Sequence, residues 1–329
     1  MFKIRKINPR ARSEINTGFG INSSDYGGRF LNKNGSPNIE KKGIGYFEKT
    51  SWYHTLLLMP KWKFLLSIVV YYIAINLIFA IAYFFMGVDD LAGITSASHL
   101  SNFAESFFFS CQTFTTVGYG RVSPVSFIAS SISSVEALLG LLTLAVITGL
   151  LYGRFSRPKA FIRFSENALL APFHNGKAIM LRLAPFKNTT LTDAEAKVTL
   201  GLIAEENGKT VNKFYPLPLE YSMINSLTLS WTIVHPITET SPFYNFTEED
   251  FKNAKGEILV FIKAFDDMFS NTVVSRTSYT LNEIIIGAKF NPMYHKSGNE
   301  NKTLLHLDKL NSFSLVDLNF NTERVKNES

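Results

Sequence analysis

The stretch "TTVGYG" (residues 115–120) decides how the rest of the sequence is read. It carries no acid, base, thiol or metal-ligating side chain. What it offers is backbone: two glycines that accept dihedrals closed to other residues, with two hydroxyls ahead of them and a valine and a tyrosine between. Working outward, residues 64–88 upstream contain no charge. Their length suits a bilayer-crossing helix, which needs roughly 20 apolar residues. Residues 122–153 downstream are again apolar, with Glu136 as the single charge. The alternative for the first of these runs is a buried helix of a soluble domain. Between them, residues 103–113 are too short to cross and read as a re-entrant helix, with the glycine-containing run returning to the surface. Irregular backbone at membrane depth is tolerated only against protein or a water-filled cavity.

Charge supports a membrane setting. The 329 residues hold 33 Lys and Arg against 27 Asp and Glu, a formal net charge of +6. The excess is concentrated in residues 1–63, with 12 basic and 4 acidic residues, whereas residues 151–329 are nearly balanced. A basic arm immediately before an apolar run points to a membrane surface rather than to nucleic acid. Residues 52–63, "WYHTLLLMPKWK", form an amphipathic segment with Trp and Lys at its close, suited to the headgroup region. Lys61 and Lys63 flank the first span, and Arg154, Arg157 and Lys159 follow the second. The positive-inside rule then predicts a multi-pass protein of the cell (inner) membrane with both termini cytoplasmic. A cleavable signal peptide is not expected, since the first apolar run starts far from Met1. The single Cys111 cannot form an intrachain disulfide and is read as a small packed hydrophobe.

After Pro158 the pattern changes to short β-rich runs: "KAIMLRL", "AKVTLGLI", "SLTLSWTIVH", "EILVFIKAF" and "NTVVSRTSY", separated by turn-rich segments such as "AEENGK" and "HKSGNENK". Such runs predict an all-β sandwich. The expected organisation is an N-terminal arm over 1–46, an amphipathic interfacial helix over 47–60, a membrane pore domain over 61–158 and a β-sandwich over 159–329.

This setting gives the opening stretch a chemistry. A potassium ion sheds its water in a narrow pore only if oxygens replace it. The backbone carbonyls of Thr116, Val117, Gly118 and Tyr119 supply them, with the Thr116 hydroxyl adding another set. Gly118 and Gly120 permit the dihedrals that turn successive carbonyls the same way, and the Val117 and Tyr119 side chains point away. Four such loops make a selectivity filter. With one copy per chain, a homotetramer is required. K+ is the permeant ion, and no cofactor is expected.

The stretches "FFFSCQTFTTVGYG", "GLLYGRFSRPKAFIRFS", "LSWTIVHPITETSP", "SRTSY" and "NEIIIGAKF" resemble the inward-rectifier potassium channel family, most closely its prokaryotic branch. The resemblance runs from about residue 29 to about residue 319. It implies a two-span tetrameric pore above an immunoglobulin-like cytoplasmic β-sandwich. It also implies passive K+ conduction, a gate at the inner bundle crossing and regulation through the cytoplasmic domain and anionic lipid. Eukaryotic members carry two cysteines flanking the pore loop, which this chain lacks.

Further residues follow. Gly140, Leu144, Thr148 and Tyr152 recur at four-residue spacing on one stripe of the second span, read as pore-facing or as helix packing. By resemblance, Leu144 stands where strong rectifiers place an acid that holds polyamine or Mg2+, so block there is expected to be weak. Tyr152 stands at the bundle crossing. Glu136 is expected to face protein or water, either behind the filter or near the cavity. Gln112 replaces the pore-helix glutamate of eukaryotic relatives, so their bracing ion pair is not expected in the same form. Arg121 either braces the filter or is solvated at the outer mouth. Lys61, Trp62, Lys63, Arg154, Arg157 and Lys159 match positions that bind phosphoinositide in eukaryotes, although Ala160 departs from the basic pattern. Here they imply contact with anionic lipid, or plain anchoring. Asp267 matches an acidic ring of the cytoplasmic pore, and Asp266 and Asp267 also fit a hairpin turn. His235 reads as structural.

Three other functions fit parts of the sequence: a two-span channel gated by a small ligand on its β-domain, a potassium transporter subunit, and a membrane-anchored interaction module. A transporter usually carries four pore loops in one chain, and an interaction module leaves the filter unexplained. An enzyme is not expected, because no nucleophile–base pair or metal cluster stands out.

Overall fold

A computed structural model describes residues 7–13, 29–43, 45, 51–94, 98–206, 209–297 and 302–318. Parts of the expected arm and interfacial segment lie outside these residues, as do 207–208 and 298–301 in the two expected turns. The chain divides into two compact units, Lys42–Arg157 and Met1–Lys41 with Pro158–Ser329.

The first unit is helical. Helix α1 (Trp52–Leu58) starts at Ser51, whose Oγ accepts the His54 N–H at 3.4 Å. Helix α2 (Lys61–Met86) follows Pro60 and reaches a mean hydropathy of 2.5. It buries only Phe64, Asn76, Ala80 and Tyr83 and leaves most of its apolar surface uncovered, as a lipid-facing helix does. The chain then forms β1 (Leu91–Ala92) and enters α3 (His99–Phe114). Its 16 residues span about 24 Å, short of the roughly 30 Å hydrocarbon layer. After the glycine run, β2 (Ser123–Pro124) pairs with β1. Helix α4 (Phe127–Phe155), of mean hydropathy 2.0, begins at Ser126, whose Oγ accepts the Ala129 N–H at 3.1 Å. The expected second span therefore starts five residues late. Residues 123–124 belong to the ladder, and Pro124 has no amide to give a helix.

The second unit is a sandwich of two five-stranded sheets. One contains β6 (Leu191–Glu206), β7 (Lys209–Pro216), β8 (Met223–Leu227), β10 (Gly256–Asp266) and β11 (Asn271–Thr280) in the order β11-β10-β6-β7, with β8 also on β6. The other contains β3 (Ile162–Phe164), β4 (Ala168–Phe173), β5 (Gly176–Pro185), β9 (Trp231–Pro236) and β12 (Ile284–Ile286). Alternate residues of β6 (Ala194, Ala196, Val198, Leu200, Leu202) and of β10 (Ile258, Val260, Ile262, Ala264) share one core with Ile179, Leu181 and Ile233 from the opposite sheet. The run read as a single segment, "SLTLSWTIVH", is two strands in different sheets: β8 ends at Leu227 and β9 starts at Trp231. A short helix α5 (Glu248–Asn253), not expected from the strand pattern, is held by a capping box between Thr247 and Asp250. Two small ladders complete the unit: β13 (Ala288–Phe290) with β16 (Phe313–Leu315), and β14 (Tyr294–Lys296) with β15 (Thr303–Leu305).

Residues 29–38 are strapped onto this sandwich. The buried Glu257 carboxylate accepts the N–H groups of Phe30 and Leu31. Arg29 and Lys33 reach Glu283 at 2.8 and 3.2 Å. Burial alone would push the Glu283 carboxyl up, but the Arg29 guanidinium, the Thr280 N–H and the Lys33 ammonium hold it below the usual carboxylate range.

Candidate functional site

The glycine run hangs from the last turn of α3. The Thr115 N–H and Oγ1 both donate to the Cys111 carbonyl, at 3.1 and 2.7 Å, and the Thr116 N–H donates to Thr113 at 3.0 Å. The Gln112 carbonyl accepts the N–H groups of both Val117 and Gly118, at 2.9 and 3.3 Å. Thr116, Gly118 and Gly120 have φ of 58°, 52° and 80°, with Val117 and Tyr119 between them on the negative side. Such alternation turns successive peptide units alike, with amides to one side and carbonyls to the other. The amides of 117 and 118 are committed to Gln112, so the carbonyls of the same trans peptide units, those of Thr116 and Val117, point away from it. Positive φ at the β-branched Thr116 is costly, about 1–3 kcal/mol, and no residue pattern signalled it. The Val117 and Tyr119 side chains are 52% and 79% exposed.

Glu136 is fully buried behind α3. Its carboxyl accepts the Tyr83 hydroxyl at 2.6 Å and the Ser110 hydroxyl at 2.5 Å. Ser110 also lies 3.0 Å from Asn76 Oδ1, and Asn76 Nδ2 donates to the Tyr72 carbonyl at 2.7 Å. One polar cluster thus joins α2, α3 and α4, and of the two expected settings for Glu136 it has the one behind the loop. Asn76 and Tyr83, seven residues apart on one face of α2, were the missed partners. Polar residues in an otherwise apolar span were the available signal.

Arg121, directly after the loop, forms an ion pair with Glu105 on α3. Glu105 was not singled out from the sequence. Gln112 contributes through its carbonyl. Within the four-residue stripe, Gly140 is buried by packing: a β-carbon there would lie 1.9 Å from the Phe114 carbonyl oxygen. Leu144, Thr148 and Tyr152 are exposed along α4.

Arg154 has a structural task. Its guanidinium donates to the carbonyls of Leu56 and, at 2.6 Å, Met59, closing the C-terminal end of α1, and it stacks on Phe64. Lys61, Trp62, Lys63, Arg157 and Lys159 are exposed. In the β-unit Asp266 is fully buried, and its Oδ1 accepts the N–H groups of Met268 and Phe269 at 2.9 and 3.3 Å, the hairpin-turn role. Asp267 is exposed. His235 is buried, with Nδ1 on the Pro218 carbonyl at 2.6 Å and Nε2 on Ser241 Oγ at 2.8 Å. Burial pulls its pKa down to about 4, against the opposing pull of the Pro218 carbonyl.

Comparison with known proteins follows the same division. The inward rectifier potassium channel C-terminal domain matches residues 162–328, and an ion channel domain matches residues 67–157. Inward rectifier potassium channel Kirbac3.1 of Paramagnetospirillum magnetotacticum is 35% identical over 268 residues, covering 80% of this chain and 88% of that protein. G protein-activated inward rectifier potassium channel 4 of Mus musculus is 27% identical over 299 residues, covering 80% of this chain and 68% of that protein. Inward rectifier potassium channel irk-1 of Caenorhabditis elegans is 24% identical over 287 residues, and the match spans only 52% of its length.

Proposed function

Since the chain belongs to the inward rectifier potassium channel family, a family of ion channels and not of enzymes, we propose that four copies close around one axis and conduct K+ passively through their "TTVGYG" loops. The observation that carries this reading is the alternation of φ at Thr116, Gly118 and Gly120 with the neighbouring amides tied to Gln112. That arrangement supports a stack of carbonyl oxygens from Thr116, Val117, Gly118 and Tyr119 on one side, and four such stacks would replace the water around K+. The exposure of Val117 and Tyr119 supports the tetramer, because their bracing has to come from outside the single chain.

Around this filter the remaining residues take supporting roles. Glu136, with Tyr83 and Ser110, and Arg121, with Glu105, hold α3 and the loop exit. Leu144, Thr148 and Tyr152 line the cavity and inner gate, with weak polyamine or Mg2+ block because Leu144 offers no charge. Lys61, Trp62, Lys63, Arg157 and Lys159 meet anionic lipid, while Arg154 ties α1 to α4. Asp267 adds negative charge to the cytoplasmic route. The protein resides in the cell (inner) membrane with both termini cytoplasmic, divided as 1–46, 47–60, 61–158 and 159–329.

The test is twofold. Mass measurement in detergent is expected to give four chains. Liposomes carrying the purified protein are expected to accumulate rubidium, in competition with K+ but not Na+. A conducting monomer or dimer, or uptake indifferent to the cation, would overturn the proposal.

A further inference from the structure

His295 and His306, which conduction does not use, stand together on the β14–β15 hairpin. The register pairs His295 with Leu304, so His306 lies diagonally across, two residues further on and on the same face. The His306 N–H donates to the Met293 carbonyl at 2.7 Å, which fixes its backbone beside the ladder. The two rings lie 4.6 Å apart between centroids with planes 22° apart, and their Nε2 atoms are separated by 3.4 Å. We propose that these two Nε2 atoms form a site for a borderline divalent transition metal, of the Zn2+, Ni2+ or Cu2+ class.

Three observations carry the proposal. Tetrahedral coordination at about 2.0–2.1 Å per nitrogen puts two ligand nitrogens about 3.3–3.4 Å apart, which the Nε2 spacing matches, and a turn of the stacked rings about their side-chain bonds brings both lone pairs onto one ion. Asp308 Oδ1 lies 3.6 Å from His306 Nδ1. At that distance the carboxylate is an electrostatic neighbour, not a hydrogen-bond acceptor, and its negative charge favours the ring proton on the Nδ1 side, which leaves the Nε2 lone pair for a metal. His295 is exposed and the His306 side chain is 28% exposed, which gives an ion an entry path. Imidazole nitrogens select this class over K+, Mg2+ and Ca2+, which prefer oxygen. Among the described residues no group of three or more His, Cys, Asp and Glu gathers, so water completes the coordination and the ion exchanges. A bound ion would cross-link the hairpin where Met293 and Leu310 pack with Ala184.

The experiment uses the full-length protein in detergent, stripped with a chelator and titrated with Cu2+ or Zn2+ alone. One equivalent per chain is expected, and paramagnetic resonance of the Cu2+ form should show two nitrogen ligands. His295→Gln and His306→Gln should each weaken binding at least tenfold, and Asp308→Asn about tenfold through loss of orientation. On wild-type protein, Zn2+ should shield both histidines from carbethoxylation, read by peptide mass spectrometry. Binding that persists in the double variant overturns the site. So does the absence of shielding at either histidine in wild-type protein, which needs no variant to fold.

Discussion

Gly140 is the point at which packing and conduction meet, and alanine there is the sharpest test of how the loop is supported. A β-carbon at 140 would fall 1.9 Å from the Phe114 carbonyl oxygen, 2.8 Å from its carbon and 3.1 Å from its Cα. Real β-carbons essentially never come within 3.0 Å of another heavy atom, so α3 or α4 must retreat by about 1 Å. The opposing atoms are backbone at the end of α3 and cannot swing aside. Overpacking of this kind costs about 1–3 kcal/mol, against about 1 kcal/mol that alanine gains over glycine inside a helix. The balance is a loss of up to about 2 kcal/mol per chain. The displaced turn also carries Gln112, whose carbonyl holds Val117 and Gly118, so rubidium uptake should fall and discrimination against Na+ should weaken. Gly149→Ala is the matched control. Nothing lies within 4 Å of its β-carbon, and the same exchange should stabilise by about 0.5–1 kcal/mol. Thermal unfolding in detergent and uptake into liposomes at equal protein read both quantities. If Gly140→Ala unfolds and conducts like Gly149→Ala, the α3–α4 contact does not support the loop.

Other consequences follow from the same geometry. Gly118→Ala meets no neighbouring atom within 4 Å but must hold φ at 52°, so the tetramer should assemble while rubidium uptake collapses or loses K+ preference; unchanged preference would remove the loop from ion coordination. The ordinary His235 pKa of 6.5 is lowered to about 4 on folding, so its contribution is complete above pH 6.5 and lost as pH falls towards 4. Denaturant midpoints should record about 3 kcal/mol lost across that window, and His235→Gln should flatten the dependence. Glu257→Ala removes the buried carboxylate that accepts the Phe30 and Leu31 N–H groups, a cost of about 1–3 kcal/mol, and should speed limited proteolysis around residues 29–43; an unchanged cleavage rate would mean the strap is held elsewhere.

How far the sequence was legible depends on the range of the interaction. The spans, the short re-entrant helix and most strands follow from local pattern, because length, charge and alternation are properties of contiguous residues. The break at 228–230 was not legible, since β-branched and apolar residues continue through a point where the chain changes sheets. At the candidate site, the two glycines signalled the unusual backbone, whereas the strained Thr116 gave no sign. Glu136 stood out as a lone acid in an apolar span, but its partners lie on two other helices. Arg121 was visible and Glu105 was not, because 16 residues of helix and loop bring them together. Asp266 and Asp267 look alike in sequence, yet one is folded into its own turn and the other is exposed, with its carboxylate at 3.4 Å from the Thr192 hydroxyl.

The support of the loop is one-sided, and this bears on why the chain is built as it is. On one side, Gln112, Thr113 and Cys111 take its amides and the Glu136 cluster fixes α3 beneath it. On the other side, a strained threonine, a half-exposed valine and a mostly exposed tyrosine have little of this chain to lean on. The hydrogen bonds to Cys111, Thr113 and Gln112 offset part of the roughly 1–3 kcal/mol of backbone strain at Thr116. In the proposed pore, neighbouring copies would cover Val117 and Tyr119 and a cation would use the carbonyls, so assembly and ion occupancy would both favour the same backbone. A loop fully braced from within would need neither. On the proposed tetramer, the conducting geometry would then be conditional on the complete pore.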